Sequence, residues 1–188
     1  YRSKADHTRF HSSNSPLRQG SYRALATPAN TFARESQIND HAILLKEDPL
    51  SFRLNNLEDQ RLKHVLQVAA DTFGWKSAKK ENTGYGLACC FDKGGYMATC
   101  AEVQYNAESK EIKVIKLVGA FDCGAIVNPK HLESQIMGCM LQGLGFALYE
   151  YIDFRDGKIL NPSFSHYKIP RFQDMPDIEI VIVDRKDE

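Results

Sequence analysis

The chain has 188 residues, with 24 Lys and Arg against 24 Asp and Glu, so its formal net charge is zero; 43% of its residues are hydrophobic and 26% are charged. A chain this long hides roughly 70% of its unfolded surface, enough for one large domain or two small ones. The balance excludes a global positive field for nucleic acid, no run approaches the ~18 apolar residues of a membrane span, and the composition is too apolar for disorder.

In chain order, residues 1–27 are polar and rich in Ser, Arg, His and Asn, and read as extended or looped. They contain no apolar run of the kind a signal peptide needs. Residues 28–46 read as a helix: Pro28 suits a first turn, and Phe32, Ile38, Ala42 and Leu45 fall near helical spacing. Asp48-Pro49 stops it. A second helix is predicted from Leu57 to Thr72, with Leu62, Val65, Leu66, Ala69 and Phe73 as its apolar stripe and Gly74 as terminator. Residues 76–83 are a lysine-bearing linker, which divides a loop and helical segment (1–75) from a sheet-plus-helix segment (76–188).

Tyr85 to Phe91, Tyr96 to Tyr105 and the stretch holding Ile112, Val114 and Val118 read as an antiparallel meander turned at Gly94-Gly95 and Asn106 to Lys110. Asn128-Pro129 opens the longest helix. Its Leu132, Ile136, Met140, Leu144 and Leu148 recur every four residues as one ridge. Asp156-Gly157 turns a hairpin between Ile152–Phe154 and Lys158–Leu160, and Ile178 to Val183 reads as a last, buried strand. The expected fold is α+β: two N-terminal helices, a mostly antiparallel sheet, and the long helix packed on one face.

The chemistry-bearing residues are fewer. Five cysteines (Cys89, Cys90, Cys100, Cys123 and Cys139) form no CxxC pair, so zinc and iron–sulfur spacings are absent. They read as reduced, structural thiols. The six histidines have no HExxH-like spacing, and there is no Walker A loop, GxGxxG or GxSxG. No metal ligand is assigned. On the long helix, Gln135, Gly138, Gln142 and Gly145 stack on one side. Each glycine costs roughly 1 kcal/mol of helix propensity, and two carboxamides could hydrogen-bond a flat heterocycle. On spacing alone, close packing of a neighbouring element explains that face more simply. Arg18, Gly20, Ser21 and Arg23 could form an anion site, or a solvated basic loop. Gly119 to Pro129 ends a strand, turns at Gly124 and enters the glutamine helix, a junction with N–H groups available to a ligand. Asp122 and Cys123 are candidate reactive groups there, although such a Cys is more often packed than nucleophilic.

Three segments in order carry a resemblance. They are Ser15-Pro16-Leu17-Arg18-Gln19-Gly20-Ser21-Tyr22-Arg23-Ala24, then Gly94 to Val103, then Gly124-Ala125-Ile126-Val127-Asn128-Pro129 leading to Gln135 and Gln142-Gly143-Leu144-Gly145. Asp48 to Leu54 and Tyr167 to Phe172 also fit. The chain resembles the molybdopterin-binding large subunit of the xanthine dehydrogenase and aldehyde oxidase family, in its isoquinoline 1-oxidoreductase branch. The resemblance implies a molybdenum-cofactor-binding-domain-like fold and a molybdenum hydroxylase. Such an oxidoreductase holds molybdopterin, in its cytosine dinucleotide form, and hydroxylates an N-heterocycle or aldehyde with oxygen drawn from water. Electrons pass to 2Fe–2S clusters on a small partner subunit. By motif, Arg18 matches an arginine near the active site and Gln135 the glutamine that bonds the pterin, which reverses the plain reading of that helix face. Gly20, Gly124 and Ala125 match cofactor-lining loops.

The resemblance further implies that this chain is a piece of a longer subunit. The remainder of that subunit would be its partner, and the general-base Glu is expected beyond residue 188. Glu188, without flanking glycines, is not assigned that role. The isolated piece is expected to be inactive. The alternative is a non-catalytic cofactor-binding or assembly module of the same fold. Cytoplasmic location is expected, with a folded, periplasmic protein as the other option.

Overall fold

Helices form where the chain supplies both a cap and a buried face. The computed structural model describes every residue except Asp6, Pro16, Gln19, Tyr22, Lys79 and residues 184–188. Helix α1 (Thr27–Leu45) has Pro28 in its first turn and ends at Lys46, which adopts the left-handed conformation. Helix α2 (Pro49–Asn56) begins three residues later. Asp48 accepts the Ser51 amide at 2.8 Å, and Pro49 takes the first helical position, where its missing N–H costs nothing. Helix α3 (Gln60–Phe73) is capped by Asp59, which accepts from the amides of Arg61 and Leu62, and Gly74 closes it at φ +77°.

Three strands then form the meander: β1 (Thr83–Asp92), β2 (Gly95–Asn106) and β3 (Glu111–Asp122). Lys93 and Gly94 join the first two, both at positive φ, as the two-residue turn of a twisted hairpin requires. Helix α4 (Pro129–Leu148) carries the chain across to the short hairpin β4 (Phe154–Arg155) and β5 (Lys158–Ile159), a 3₁₀ turn at Phe172–Asp174, and β6 (Asp177–Ile182). The main sheet has the order β1-β2-β3-β6. The first three strands pair antiparallel, and β6 pairs with β3 in parallel, Gly119 opposite Ile180. A parallel pair needs a long crossover, and α4 supplies it.

Strand alternation divides the sheet into two faces. One face, with Leu87, Cys89, Tyr96, Ala98, Cys100 and Ala120, packs on α2 and α3 through Leu50, Leu57, Leu62, Val65, Leu66 and Ala69. Val65 and Leu66 are fully buried, each worth about 1.5–3 kcal/mol. The other face, with Met97, Val114, Leu117, Phe121, Ile178 and Ile180, meets α4 through Ile136 and Met140. Gly119 lets α4 come close, since a Cβ there would lie 2.8 Å from both Met140 Sδ and Met97 Cε.

The α+β expectation holds, with corrections of detail. The N-terminal helices number three, because Asp48-Pro49 both stops α1 and starts α2. The sequence spacing places only part of the buried face of α1: Ala42 is buried and Ile38 half-buried as expected. Phe32 and Leu45, however, are 76% and 61% exposed, and Glu35 is buried instead. The cause is electrostatic. Glu35 accepts from Nε of the fully buried Arg53 at 3.0 Å, from the Tyr1 hydroxyl at 2.9 Å and from the Cys89 amide at 3.2 Å. That cluster turns α1 toward β1 by its charge rather than by its apolar residues. The hairpin strands are two residues each, shorter than expected.

Candidate functional site

The junction between β3 and α4 gathers the best-placed candidates. Asp122, the last residue of β3, points with Val118 and Ala120 to the α3 face and is buried. Its carboxylate receives Arg61 Nε at 3.0 Å and Nη2 at 2.8 Å, and its Oδ1 also accepts the Gly124 amide at 3.1 Å. Gly124 is buried at φ +77°, a conformation that glycine adopts without strain. Ala125 beside it is exposed. Asp122, expected as a candidate reactive group, is thus engaged in an ion pair, and Cys123 is half-buried. Asn128 caps α4 by accepting the His131 amide at 3.0 Å.

From this junction α4 runs along the edge of an apolar groove of about 820 Å³. Its floor is the open part of the sheet, with Met97, Thr99, Ala101 and Val103, and its wall is the Leu132, Ile136, Met140 and Leu144 ridge. Gln135 and Cys139 stand on its rim, both exposed, and the Gln135 carboxamide N–H reaches Cys139 Sγ at 3.8 Å. Gly138 and Gly143 on the same helix have nothing within 4 Å of where a Cβ would lie. These are places where a flat group or another backbone could approach.

The glutamine face is parted by the structure. Gln142 lies in a separate cleft of about 380 Å³ with Ile169, Pro170, Arg171 and Phe172. A Cβ on Gly145 would meet Pro170 and the Glu150 carboxylate. That glycine therefore serves packing inside the chain, the plainer of the two readings, whereas Gly138 does not. Glu150 is itself held by the Tyr167 hydroxyl at 2.7 Å.

Arg18 and Gly20 lie exposed in the segment before α1. Among the described residues no hydrogen bond or ion pair joins them to Gly124, Ala125 or Gln135. Pro16, Gln19 and Tyr22 of the same motif, and Glu188, lie outside the described residues. Among the described residues no group of three or more His, Cys, Asp and Glu gathers as a metal centre. Burial, with the Glu35 carboxylate adding to it, pushes the Cys89 thiol up to about 12, and burial pushes Cys100 up to about 12. Both are therefore packing groups and not nucleophiles. Sequence reasoning missed Arg61, Glu35 and Arg53. The one signal for Arg61 was a cation in a first helical turn, where the helix dipole disfavours it.

The signature of the family described as molybdopterin cofactor-binding domain matches residues 24–176. The chain is 28% identical over 166 residues to the beta subunit of isoquinoline 1-oxidoreductase of Brevundimonas diminuta, covering 86% of this chain and 21% of that protein. It is 25% identical over 191 residues to a subunit of the nicotinate dehydrogenase of Pseudomonas putida, covering 92% of this chain and 16% of that protein. The chain thus spans about a fifth of the length of these curated relatives. The crystal structure of the aldehyde oxidoreductase from Desulfovibrio desulfuricans superposes with a TM-score of 0.72 at 15% identity, over 89% of this chain and 36% of that one. At that identity the likeness concerns the fold.

Proposed function

The chain belongs to the molybdopterin cofactor-binding domain family, and from that premise we propose that it forms part of the cofactor-holding wall of a molybdenum hydroxylase large subunit. The observation that carries the reading is Gln135. It is an exposed carboxamide on the rim of a large groove, with open space above Gly138 and Gly143. A pterin is flat and edged with paired donors and acceptors, and a carboxamide offers the complementary pair. Gln135 would bond the pterin edge, the Gly124–Ala125 turn would line it, and Arg18 and Gly20 would close over it from the segment before α1. The metal would be held by the cofactor's own dithiolene, while this chain's residues would hold the pterin. When bound, that group supplies oxygen transfer to carbon with oxygen drawn from water.

This chain's own part is to bind and orient. The apolar floor of Met97, Ala101 and Val103 would keep water from the pterin's face. The cytosine dinucleotide form of the cofactor, a small 2Fe–2S partner subunit, the remainder of the large subunit, and an N-heterocycle or aldehyde as substrate complete the proposal. The names of the relatives, which refer to isoquinoline and nicotinate, support the substrate class.

The test is to purify the whole polypeptide that carries this chain, with its partner subunits, and incubate it with N-heterocycles and aldehydes in ¹⁸O-labelled water. Hydroxylated product carrying the label is the expected result. Bound pterin and molybdenum with no hydroxylation of any such substrate would favour the non-catalytic module, and no bound pterin at all would refute the reading.

A further inference from the structure

The Gly124–Ala125 turn is held from the far side of the sheet. Arg61 rises from the first turn of α3 and closes a fork on Asp122 at 3.0 and 2.8 Å. Its guanidinium lies over the Tyr96 ring, 4.3 Å from the centroid, and Asp59 caps the same helix by accepting the Arg61 and Leu62 amides. The Asp122 oxygen that takes Arg61 Nη2 is the one that accepts the Gly124 amide. Each link fixes the next: the cap sets α3, the ring seats the guanidinium, the guanidinium sets the carboxylate, and the carboxylate sets the turn.

Stability alone does not explain this arrangement. A cation sits at the end of α3 that disfavours it. A buried ion pair is commonly no more stable than apolar residues of the same volume. What a bidentate pair adds is direction, because a planar fork fixes the carboxylate plane in a way that packing does not. Strand alternation puts Asp122 on the α3 face while the turn after it leads to α4 on the other face. The pair thus couples the rigid helical layer to the loop that opens the ligand face.

We infer that Arg61 and Asp122 are positioning residues that hold the Gly124–Ala125 turn in the form the ligand face uses. The inference rests on the cofactor reading for what the turn is for, but not for the anchoring itself. Tyr96 completes the device by orienting the guanidinium.

The test uses the whole polypeptide carrying this chain. Arg61→Met with Asp122→Leu replaces the pair by apolar groups, and Asp122→Asn keeps the shape and the acceptor for Gly124 while weakening the fork. Hydrogen exchange is followed in peptides covering residues 121–128, with peptides from α3 and β2 as internal references. Loop exchange should rise at least about tenfold in the double variant and less in Asp122→Asn, at unchanged exchange in the references. Unchanged loop exchange in either folded variant overturns the inference, as does a rise shared equally by the references. If the double variant does not fold, Asp122→Asn alone decides. Pterin content is measured in the same preparations. A loosened loop with lower pterin content supports both readings, whereas a loosened loop with full pterin content keeps the anchoring and removes Gly124 and Ala125 from the cofactor site.

Discussion

Replacing Glu35 by Ala should be among the most damaging single changes outside the apolar core. The Glu35 carboxylate is buried and accepts from Arg53 Nε at 3.0 Å, the Tyr1 hydroxyl at 2.9 Å and the Cys89 amide at 3.2 Å. Without it, Arg53 keeps two carbonyl acceptors, Pro49 O at 3.1 Å and Glu35 O at 2.9 Å, but its charge is buried with no counter-ion. Breaking one side of such a pair costs about 3–5 kcal/mol, and the orphaned Cys89 amide adds about 1–3 kcal/mol where water cannot reach it. The expected loss is about 5 kcal/mol, a large part of a typical domain's stability of about 5–15 kcal/mol. Arg53→Met should cost less, because Glu35 retains Arg34 at 3.3 Å. The double change Glu35→Leu with Arg53→Met should recover at least half the loss, since no charge then stays buried alone. Urea unfolding of the three variants measures this, with unchanged slopes as the check on two-state behaviour. A loss below about 1 kcal/mol for Glu35→Ala, or a double variant as unstable as the sum of the singles, would refute the argument.

Stability should fall as pH rises above about 9. Cys89 and Cys100 are raised from an ordinary 9.0 to about 12 in the folded chain, so the unfolded chain sheds those protons first and the loss runs through the window from 9 to 12. The slope approaches about 1.4 kcal/mol per pH unit for each thiol, and Cys89→Ala or Cys100→Ala should remove its own share in denaturation curves at pH 8 to 10. Under native conditions at pH 8, iodoacetamide should label the exposed Cys139 and spare Cys89 and Cys100, as peptide mass spectrometry would show; equal labelling would contradict their burial. Gly138→Ala should stabilise the chain by up to about 1 kcal/mol, because nothing lies within 4 Å of the new Cβ. Gly145→Ala should instead destabilise it by about 1–3 kcal/mol, since Pro170 and Glu150 occupy that space. Thermal melts of the two variants should move in opposite directions.

Local signals were readable where one residue type dictates one conformation. Gly74 ends α3, Asn128-Pro129 opens α4, and the four-residue ridge from Leu132 to Leu144 faces the sheet as its spacing requires. Helix α2 is hidden in the sequence because Asp48-Pro49 signals the stop of α1, while the same dipeptide also caps the next helix. The spacing of α1 marks Ala42 but not Glu35, because the burial of Glu35 is decided by its meeting Arg53, 18 positions away, and Cys89, 54 away. The Arg61–Asp122 pair spans 61 positions. No periodicity records such a pair, since its partners are brought together only by the packing of α3 on the sheet. The glutamine face was legible as a helical stripe, but not its division. Gln135 and Gln142 share a side of α4, yet the loop at Ile169–Phe172 claims Gln142 while Gln135 keeps the groove.

If the Gln135 face of α4 holds the cofactor as proposed, metal and pterin content report it most directly. In the whole polypeptide carrying this chain, Gln135→Ala should reduce retained molybdenum and pterin severalfold by mass spectrometry. Its unfolding free energy should stay unchanged within about 0.5 kcal/mol, as suits an exposed side chain. Full molybdenum and pterin content in a folded Gln135→Ala protein would remove this face of α4 from the cofactor site.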